Sequence, residues 1–268
     1  MLTIIGYFAS LLIGISLGLI GGGGSILTVP VLVYFFNVEP VLATAYSLFI
    51  VGFSSLVGAM PKYRQGLINL KTSVIFGLPA ILSVYGTRKF IVPMIPDILF
   101  TIGNFEFTKG IFLMVLFATL MVAASVSMIT EKKDDQKKQE ANEQSFNYPI
   151  ILLEGIFVGI LTGLVGAGGG FLIIPALVIL SKLPMKQAIG TSLLIIAAKS
   201  LFGFLGDLGQ REIDWQLLLI VTILAIGGIF IGDKVSKKVD GNRLKKGFGY
   251  FVLVMGLYIL IQQIFFKI

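Results

Sequence analysis

The chain of 268 residues contains no cysteine and no histidine. Their absence excludes disulfide bonds, thiol nucleophiles, iron–sulfur clusters, His-ligated haem and the common Cys/His zinc sites, so we expect neither a cofactor nor a metal site. Imidazole is also missing as a proton carrier. If protons are the coupling ion, they must move through carboxylates, lysine, tyrosine or water.

Charged residues are scarce as well. They make up 13% of the chain, whereas a soluble domain has roughly 25%, and hydrophobic residues make up 56%. The net charge is +7, but lysine and arginine lie mostly in short gaps between apolar runs. This pattern is typical of charges that orient a protein in a membrane, not of a nucleic-acid-binding face. We expect a multi-pass membrane protein whose partners are the lipid bilayer and a small solute, with no nucleic acid.

Eight apolar runs are long enough to cross the hydrocarbon core, which takes ~20 residues each. They lie near 2–20, 41–60, 70–92, 109–130, 149–166, 186–206, 213–233 and 247–266. Two shorter apolar runs, 25–36 and 171–181, each follow a glycine-rich stretch and are too short to cross alone. We interpret them as half-helices or re-entrant segments of an all-α membrane protein with about eight transmembrane helices.

The polar stretch 131–148 divides the chain into two transmembrane halves, 1–130 and 149–268. It mixes charges of both signs without apolar periodicity, which indicates a solvent-exposed linker. With eight spans, eleven lysines and arginines fall in the odd-numbered gaps and nine on the other face. The positive-inside rule then favours both termini outside, by a small margin.

The two halves are related by a shift of 145 residues, which gives 18 identities over the 51 positions from 18 to 68. The shift pairs Gly18 with Gly163, Pro30 with Pro175, Ser47 with Ser192 and Gln65 with Gln210. We therefore predict two homologous four-helix repeats, each with a glycine-rich broken helix. Four spans per half make the repeats parallel, unless each glycine run hides an extra crossing that inverts one of them.

The glycine-rich stretches Gly18–Pro30 and Gly163–Pro175 are the strongest pointer to function. Broken apolar segments at matching places in two halves indicate a transporter's binding site. The N-terminus of a half-helix offers unpaired N–H groups and the positive end of the helix dipole, which suit an oxyanion. The predicted ligand-binding residues here are Gly23, Gly24, Ser25, Gly168, Gly169 and Gly170. The alternative is that these glycines only allow close helix packing.

A second set of candidates follows the second break. Helical spacing places Thr191, Ser192 and Lys199 near one face, and the equivalent face of the first half carries Ser47. Lys199 is the one basic residue deep inside an apolar run, where a charge costs at least ~2.5–3.5 kcal/mol of insertion free energy. We expect it to face the bundle interior and, with hydrogen bonds from the three hydroxyls, to complete an anion site.

Other interpretations of the charged residues remain open at this point. Lys199 is alternatively a structural partner of Glu154 or extends toward the interface, and Glu154 is a weaker candidate for proton coupling. The charged cluster before the seventh run is interpreted as a solvated loop: Asp207, Arg211, Glu212 and Asp214.

With these motifs in hand, the chain resembles the TauE/SafE sulfite exporter family of membrane permeases. The resemblance covers nearly the whole chain and is strongest over Gly163–Pro175 followed by Gly190-Thr-Ser-Leu-Leu194. It implies a secondary transporter of the inner membrane whose cargo is sulfite, sulfoacetate or another organosulfonate. The stretch 87–97 departs from the plainer family pattern.

The sequence therefore predicts a permease that moves a small oxyanion by alternating access, and not an enzyme. The alternatives are an anion channel of the same architecture and an intramembrane enzyme with a Ser192–Lys199 dyad. Neither a Gly-x-Ser-x-Gly motif nor a His-Glu-x-x-His motif is present.

Overall fold

The computed structural model describes residues 2–102, 105–130, 148–179, 181, 183–210, 212–236 and 241–265, so most of the predicted linker lies outside them. The helices are α1 (Leu2–Ile20), α2 (Thr28–Phe35), α3 (Pro40–Arg64), α4 (Leu70–Gly86), α5 (Val92–Met94), α6 (Lys109–Thr130), α7 (Tyr148–Val165), α8 (Gly170–Ile179), α9 (Met185–Leu205), α10 (Trp215–Ser236) and α11 (Gly241–Phe265). A 3₁₀ segment (Gly22–Leu27) precedes α2, and a π-helical segment (Thr87–Ile91) follows α4.

The protein is mostly helical, as predicted. Within the described residues, six helical stretches are long and apolar enough to cross a membrane: Thr3–Ile20, Pro40–Arg64, Leu70–Met94, Lys109–Val126, Met185–Leu205 and Trp215–Ser236. The other two predicted runs coincide with α7 and α11, whose apolar stretches in the described residues, Ile151–Val165 and Gly249–Gln263, are shorter.

The helix starts follow from capping side chains. Glu39 accepts hydrogen bonds from the N–H groups of Val41 and Leu42, both at 3.0 Å, and Pro40 occupies the first turn of α3, where no donor is lost. Asn69 caps α4 and Asp214 caps α10 through N–H···O bonds of 3.0 Å each. These two caps lie 145 residues apart, as the sequence shift requires.

The first glycine run reverses the chain. Gly21 has φ of +77°, which L side chains rarely adopt, and the following segment folds back so that Gly24 packs on the backbone of Leu17. Farther along, Phe36 contacts Gly6 and stacks edge-on against Tyr7, at 5.2 Å between ring centroids. Therefore α1 and α2 form a re-entrant hairpin whose two ends lie at the same face of the bundle.

The second glycine run reverses the chain in the same way. Gly166, the counterpart of Gly21, has φ of +71°, and Gly169 packs on Thr162 of α7. The turn after each short helix is also matched, since Val38 N–H donates to Leu32 O and the equivalent Leu183 N–H donates to Leu177 O.

Helices related by the shift run in opposite directions. At the centre, α3 and α9 are antiparallel, because Gly52 packs on Leu201 while the earlier Leu48 packs on the later Gly203. The outer helices are parallel to helices of the other half. In α1 and α10 the contacts advance together, from Gly14 on Ala225 to Gly18 on Ile229, and α4 and α7 follow the same rule.

These directions define two faces. We call the face where α6 ends and α7 begins the linker face, and the opposite face, where α1 begins and α11 ends, the terminal face. Because each glycine run returns the chain, the connection between α8 and α9 lies at the linker face, like the end of α6 and the start of α7. The count from the sequence alone had placed these two loops on opposite sides.

The returning hairpins change the charge balance sharply. Among the described residues, eight lysines and arginines belong to helix ends and connections at the linker face: Lys62, Arg64, Lys71, Lys186, Lys234, Arg243, Lys245 and Lys246. Three described ones belong to the terminal face: Arg88, Lys89 and Lys109. The positive-inside rule therefore predicts a cytoplasmic linker face and termini on the other side.

A short antiparallel hairpin, β1 (Ile98–Ile102) with β2 (Phe105–Thr108), joins the end of α5 to α6 at the terminal face. Phe100 and Phe107 stack across it with ring centroids 4.6 Å apart. No pattern in the sequence predicts this hairpin, because strands this short show little alternation of apolar and polar residues.

The orientation is testable by labelling, because a chain without cysteine gives each single-cysteine variant one reactive site. Gln65→Cys lies in an exposed turn at the linker face, and Thr101→Cys lies exposed in the hairpin at the terminal face. We expect an impermeant maleimide to label Thr101→Cys in intact cells and Gln65→Cys only after permeabilisation. The opposite pattern would reverse the orientation, and unlabelled wild-type protein is the control.

Candidate functional site

The two glycine runs meet in the middle of the bundle. A β-carbon added to Gly170 would lie 2.0 Å from Cα of Gly22, so the two backbones touch without room for a side chain. Gly168 packs on Val51 of α3, on Ile196 of α9 and on the β-carbon of Ser25. The breaks are therefore buried against each other and against the antiparallel α3–α9 pair, as non-helical backbone at membrane depth requires.

Gly170 is the first residue of α8, as predicted, so the dipole of a ten-residue helix starts at the contact between the breaks. In the first half the arrangement differs. Gly23, Gly24 and Ser25 lie inside the 3₁₀ segment, and the α-helix begins only at Thr28. The hydroxyl of Ser25 donates to Gly22 O at 2.7 Å, which ties the segment to itself.

Lys199 lies beside the second break. Its side chain is 1% exposed, and its ammonium donates to the hydroxyl of Thr162 at 2.7 Å. That hydroxyl donates in turn to Val158 O at 2.7 Å, which orients its lone pairs toward the ammonium. A β-carbon on Gly169 would lie 2.8 Å from Nζ, so the charge rests against the backbone of the glycine run.

The partner of Lys199 is a neutral hydroxyl. Lys199 takes part in neither of the ion pairs Lys62–Asp233 and Arg88–Asp207. Glu154, considered above as its partner, is partly exposed on α7. A lysine charge held at mid-bundle without a carboxylate is costly in lipid, and an anion would compensate it.

The three predicted hydroxyl ligands are buried but do not converge on Lys199. Ser192 donates to Ile189 O at 2.9 Å and lies seven residues, about 10 Å, before Lys199 along α9. Thr191 accepts the N–H of Asn69 at 3.0 Å. Ser47 lies toward the terminal face, and its hydroxyl has no hydrogen-bond partner among the described residues.

Thr191 is half of a matched pair of bonds between the halves. Asn69 N–H donates to the Thr191 hydroxyl, and the equivalent Asp214 N–H donates to the hydroxyl of Tyr46, the counterpart of Thr191. In each case a hydroxyl of one half accepts the backbone N–H of the residue that caps a helix of the other half. Asp214 is exposed in the stretch before α10, and its backbone N–H takes part in this contact.

Two residues near the site were missed by sequence reasoning. Thr162 is equivalent to Leu17 of the first half. The alignment of the halves therefore shows a polar residue in place of an apolar one, which is the signal that could have identified Thr162. Arg88, fully buried, lies in the stretch that departed from the family pattern, and its Nε lies 3.4 Å from Asp207. Asp207 is correspondingly not a solvated loop residue, since only 13% of its side chain is exposed.

A separate cavity of about 400 Å³ opens between α3, α9 and the start of α10. Its lining is apolar and includes Phe49, Phe53, Phe204 and Trp215. Such walls give an anion no counter-charge, so this cavity is not the candidate site.

The sulfite exporter TauE/SafE profile matches residues 7–259. The chain belongs to the TauE/SafE family. Its relatives include a probable membrane transporter protein of Xylella fastidiosa (strain 9a5c), 27% identical over 252 residues, which are 93% of this chain and 91% of the relative. The probable membrane transporter protein YdhB of Bacillus subtilis is 28% identical over 252 residues, 93% of this chain and 96% of YdhB.

A more distant source gives a shorter match. The probable membrane transporter protein MJ0441 of Methanocaldococcus jannaschii is 32% identical over 116 residues, 41% of this chain and 43% of MJ0441. No solved structure matches the chain significantly. Membership of the family and the names of its members agree with a membrane transporter.

The contact between the breaks predicts a sharp glycine requirement. Gly170→Ala places a methyl group 2.0 Å from Gly22 Cα and should destabilise the protein by about 1–3 kcal/mol or more, measured by thermal unfolding in detergent. Gly86→Ala, whose β-carbon meets nothing within 4 Å, is the matched control and should be neutral or slightly stabilising. Equal stability of the two variants would contradict the packing.

Proposed function

We propose that this TauE/SafE protein is a secondary transporter that carries a small sulfur-containing oxyanion, such as sulfite or an organosulfonate, across the cytoplasmic membrane. The observation that carries the proposal is the ammonium of Lys199, which lies against the backbone of Gly169 with a neutral hydroxyl as its bonding partner. A negatively charged solute at this place supplies the missing counter-charge. In the second half the first turn of the short helix, which begins at Gly170, adds the positive end of its dipole beside this charge.

We further infer that the scaffold is a pair of inverted four-helix repeats, each with a re-entrant glycine-rich hairpin. The opposite directions of α3 and α9 support this, as do the matched caps at Asn69 and Asp214. A two-fold axis that relates antiparallel spanning helices lies in the membrane plane. The extra return of the chain in each half explains why an even number of spans gives inverted repeats.

The substrate class follows from charge and size. The centre of the bundle carries a single lysine charge. Lys199 supplies it in the second half, and the equivalent position of the first half is the neutral Ser54. Close packing of Gly22 on Gly170 favours a small solute over a bulky one. The family is named for the export of sulfite, which fits both conditions, while the relatives are named only as transporters.

A carrier fits the contacts better than the alternatives. Backbone contact between the two breaks blocks a continuous pore, which an open channel needs. A Ser–Lys dyad needs a bond between its two members, whereas Ser192 donates to Ile189 O and Lys199 donates to Thr162. In this proposal protons enter only as the coupling ion that moves together with the anion.

The test uses the purified protein and measures its thermal stability in sulfite, sulfate, sulfoacetate, phosphate and chloride at matched ionic strength. A ligand of the folded state stabilises it by about 2.7 kcal/mol at a hundred-fold excess over Kd. We expect a sulfur oxyanion to raise the melting temperature, Lys199→Met to abolish the shift, and Lys199→Arg to retain part of it.

The matched control is Lys89→Met, which removes an exposed lysine near the terminal face and should leave the shift intact. Uptake of the stabilising anion into proteoliposomes should fall at least tenfold in Lys199→Met. Wild-type uptake by that variant would refute the role of the charge. A flat response to all five anions would refute the substrate class.

A further inference from the structure

The two described ion pairs are equivalent under the shift of 145 residues, with their charges exchanged. Lys62 corresponds to Asp207, and Arg88 corresponds to Asp233. Lys62 Nζ lies 2.8 Å from Asp233, and Arg88 Nε lies 3.4 Å from Asp207. Each pair therefore joins the first half to the second, at positions that the inverted repeat relates.

The pairs lie on opposite sides of the candidate site. Lys62 and Asp233 are near the C-terminal ends of α3 and α10, at the linker face. Arg88 follows α4, and Asp207 follows α9, at the terminal face. Lys199 lies between them near the middle of α9.

We propose that these ion pairs are two gates, one at each face, which open in alternation to admit the solute to the central site. The proposal rests on the transport function proposed above. Both pairs are formed in this structure, which in this proposal is the state with both gates closed. Opening one face requires the halves to separate there, so the ion pair must break together with the hydrogen bond between the halves at that face, Asn69–Thr191 or Asp214–Tyr46.

The two gates are not equally solvated. The side chains of Lys62 and Asp233 are 14% and 18% exposed, whereas those of Arg88 and Asp207 are 0% and 13% exposed. Separating a buried guanidinium from its carboxylate leaves a charge without solvent, which costs more than separating a partly hydrated pair. The linker face should therefore open more readily than the terminal face.

The local structure at Arg88 supports a moving part. Residues Thr87–Ile91 form a π-helical turn, a rare geometry that is frequent at functional sites. Arg88 also contacts Gly206, where an added β-carbon would lie 2.9 Å from Cβ of Arg88. The counterpart Asp233 lies in regular α-helix, so the difference between the gates extends to the backbone.

The experiment measures sided access to the centre. Ser54→Cys, at the counterpart position of Lys199, introduces the single thiol of the chain, fully buried between the gates. An impermeant methanethiosulfonate is applied to right-side-out and to inside-out vesicles, and the modification rate is recorded for each face. This readout needs no substrate, so it separates failure of the gates from failure of the anion site.

We expect Asp233→Asn to raise modification from the linker face at least tenfold, about 1.4 kcal/mol in the opening equilibrium, and not from the terminal face. Asp207→Asn should do the reverse. The exchanged pair Lys62→Asp/Asp233→Lys should return modification to the rate of the background variant. Arg64→Gln and Lys89→Gln, which remove exposed neighbouring charges, are the matched controls and should change neither rate.

Three outcomes would overturn the proposal. They are unchanged rates in both gate variants, equal increases from both faces, and failure of the exchanged pair to restore the background rate. Thermal unfolding of every variant distinguishes gate opening from loss of the fold, since a general loss of packing raises both rates together. If the modification rates change as expected but no anion stabilises the protein, the proposal of the gates stands and the proposal of the anion site is refuted.

Discussion

The architecture depends on one constraint, that backbone which is not helical must be buried in protein when it lies at membrane depth. Each half of the chain contains such a stretch, and each stretch is covered partly by its own half and partly by the other. Gly22 and Gly170 cover each other by backbone contact, which only glycine allows at this distance. The halves are consequently obligate partners, although each repeats the same sequence pattern.

If the scaffold is the pair of repeats proposed above, that contact explains why it has one candidate site instead of two. The breaks meet beside the crossing of α3 and α9, where the shift pairs Ser54 with Lys199. A lysine at both positions would place two ammonium groups close together in a medium of low dielectric constant, where like charges repel strongly. Lysine in one half and serine in the other leaves a single charge. Thr162 in place of Leu17 then gives that charge a hydrogen-bond acceptor.

The sequence predicted the helical class and the position of each long apolar run, because hydrocarbon thickness fixes the length of a span. It also predicted the chain reversals, because glycine runs followed by short apolar pieces cannot continue across the membrane. The sequence did not decide whether the two halves are parallel or inverted. That depends on whether α2 returns beside α1, which is a tertiary contact that a local sequence pattern does not predict. The orientation by charge was weak for the same reason: the loop before α9 was assigned to the wrong face.

The ion pairs also depend on tertiary contacts that local sequence patterns do not predict. Asp207 was interpreted as a loop residue because it sits among other charges, and Arg88 had no interpretation at all. Their partnership links residues more than a hundred positions apart and becomes visible only when the fold brings α4 beside α9. The exchange of charge between equivalent positions, Lys62 with Asp207 and Arg88 with Asp233, is nevertheless written in the sequence. An alignment of the halves that tracks opposite charges as well as identities would have detected it.

The single central charge also bears on how the protein changes conformation. With the site empty, reorientation exposes or buries an ammonium whose bonding partner is a neutral hydroxyl, at the cost of carrying a charge through a medium of low dielectric constant. With a monovalent anion bound, the moving centre is neutral and this cost falls. For the transport mechanism and the gates proposed above, this argument predicts that loaded reorientation is faster than empty reorientation. In that proposal the lysine that attracts the solute also couples its binding to the movement that releases it.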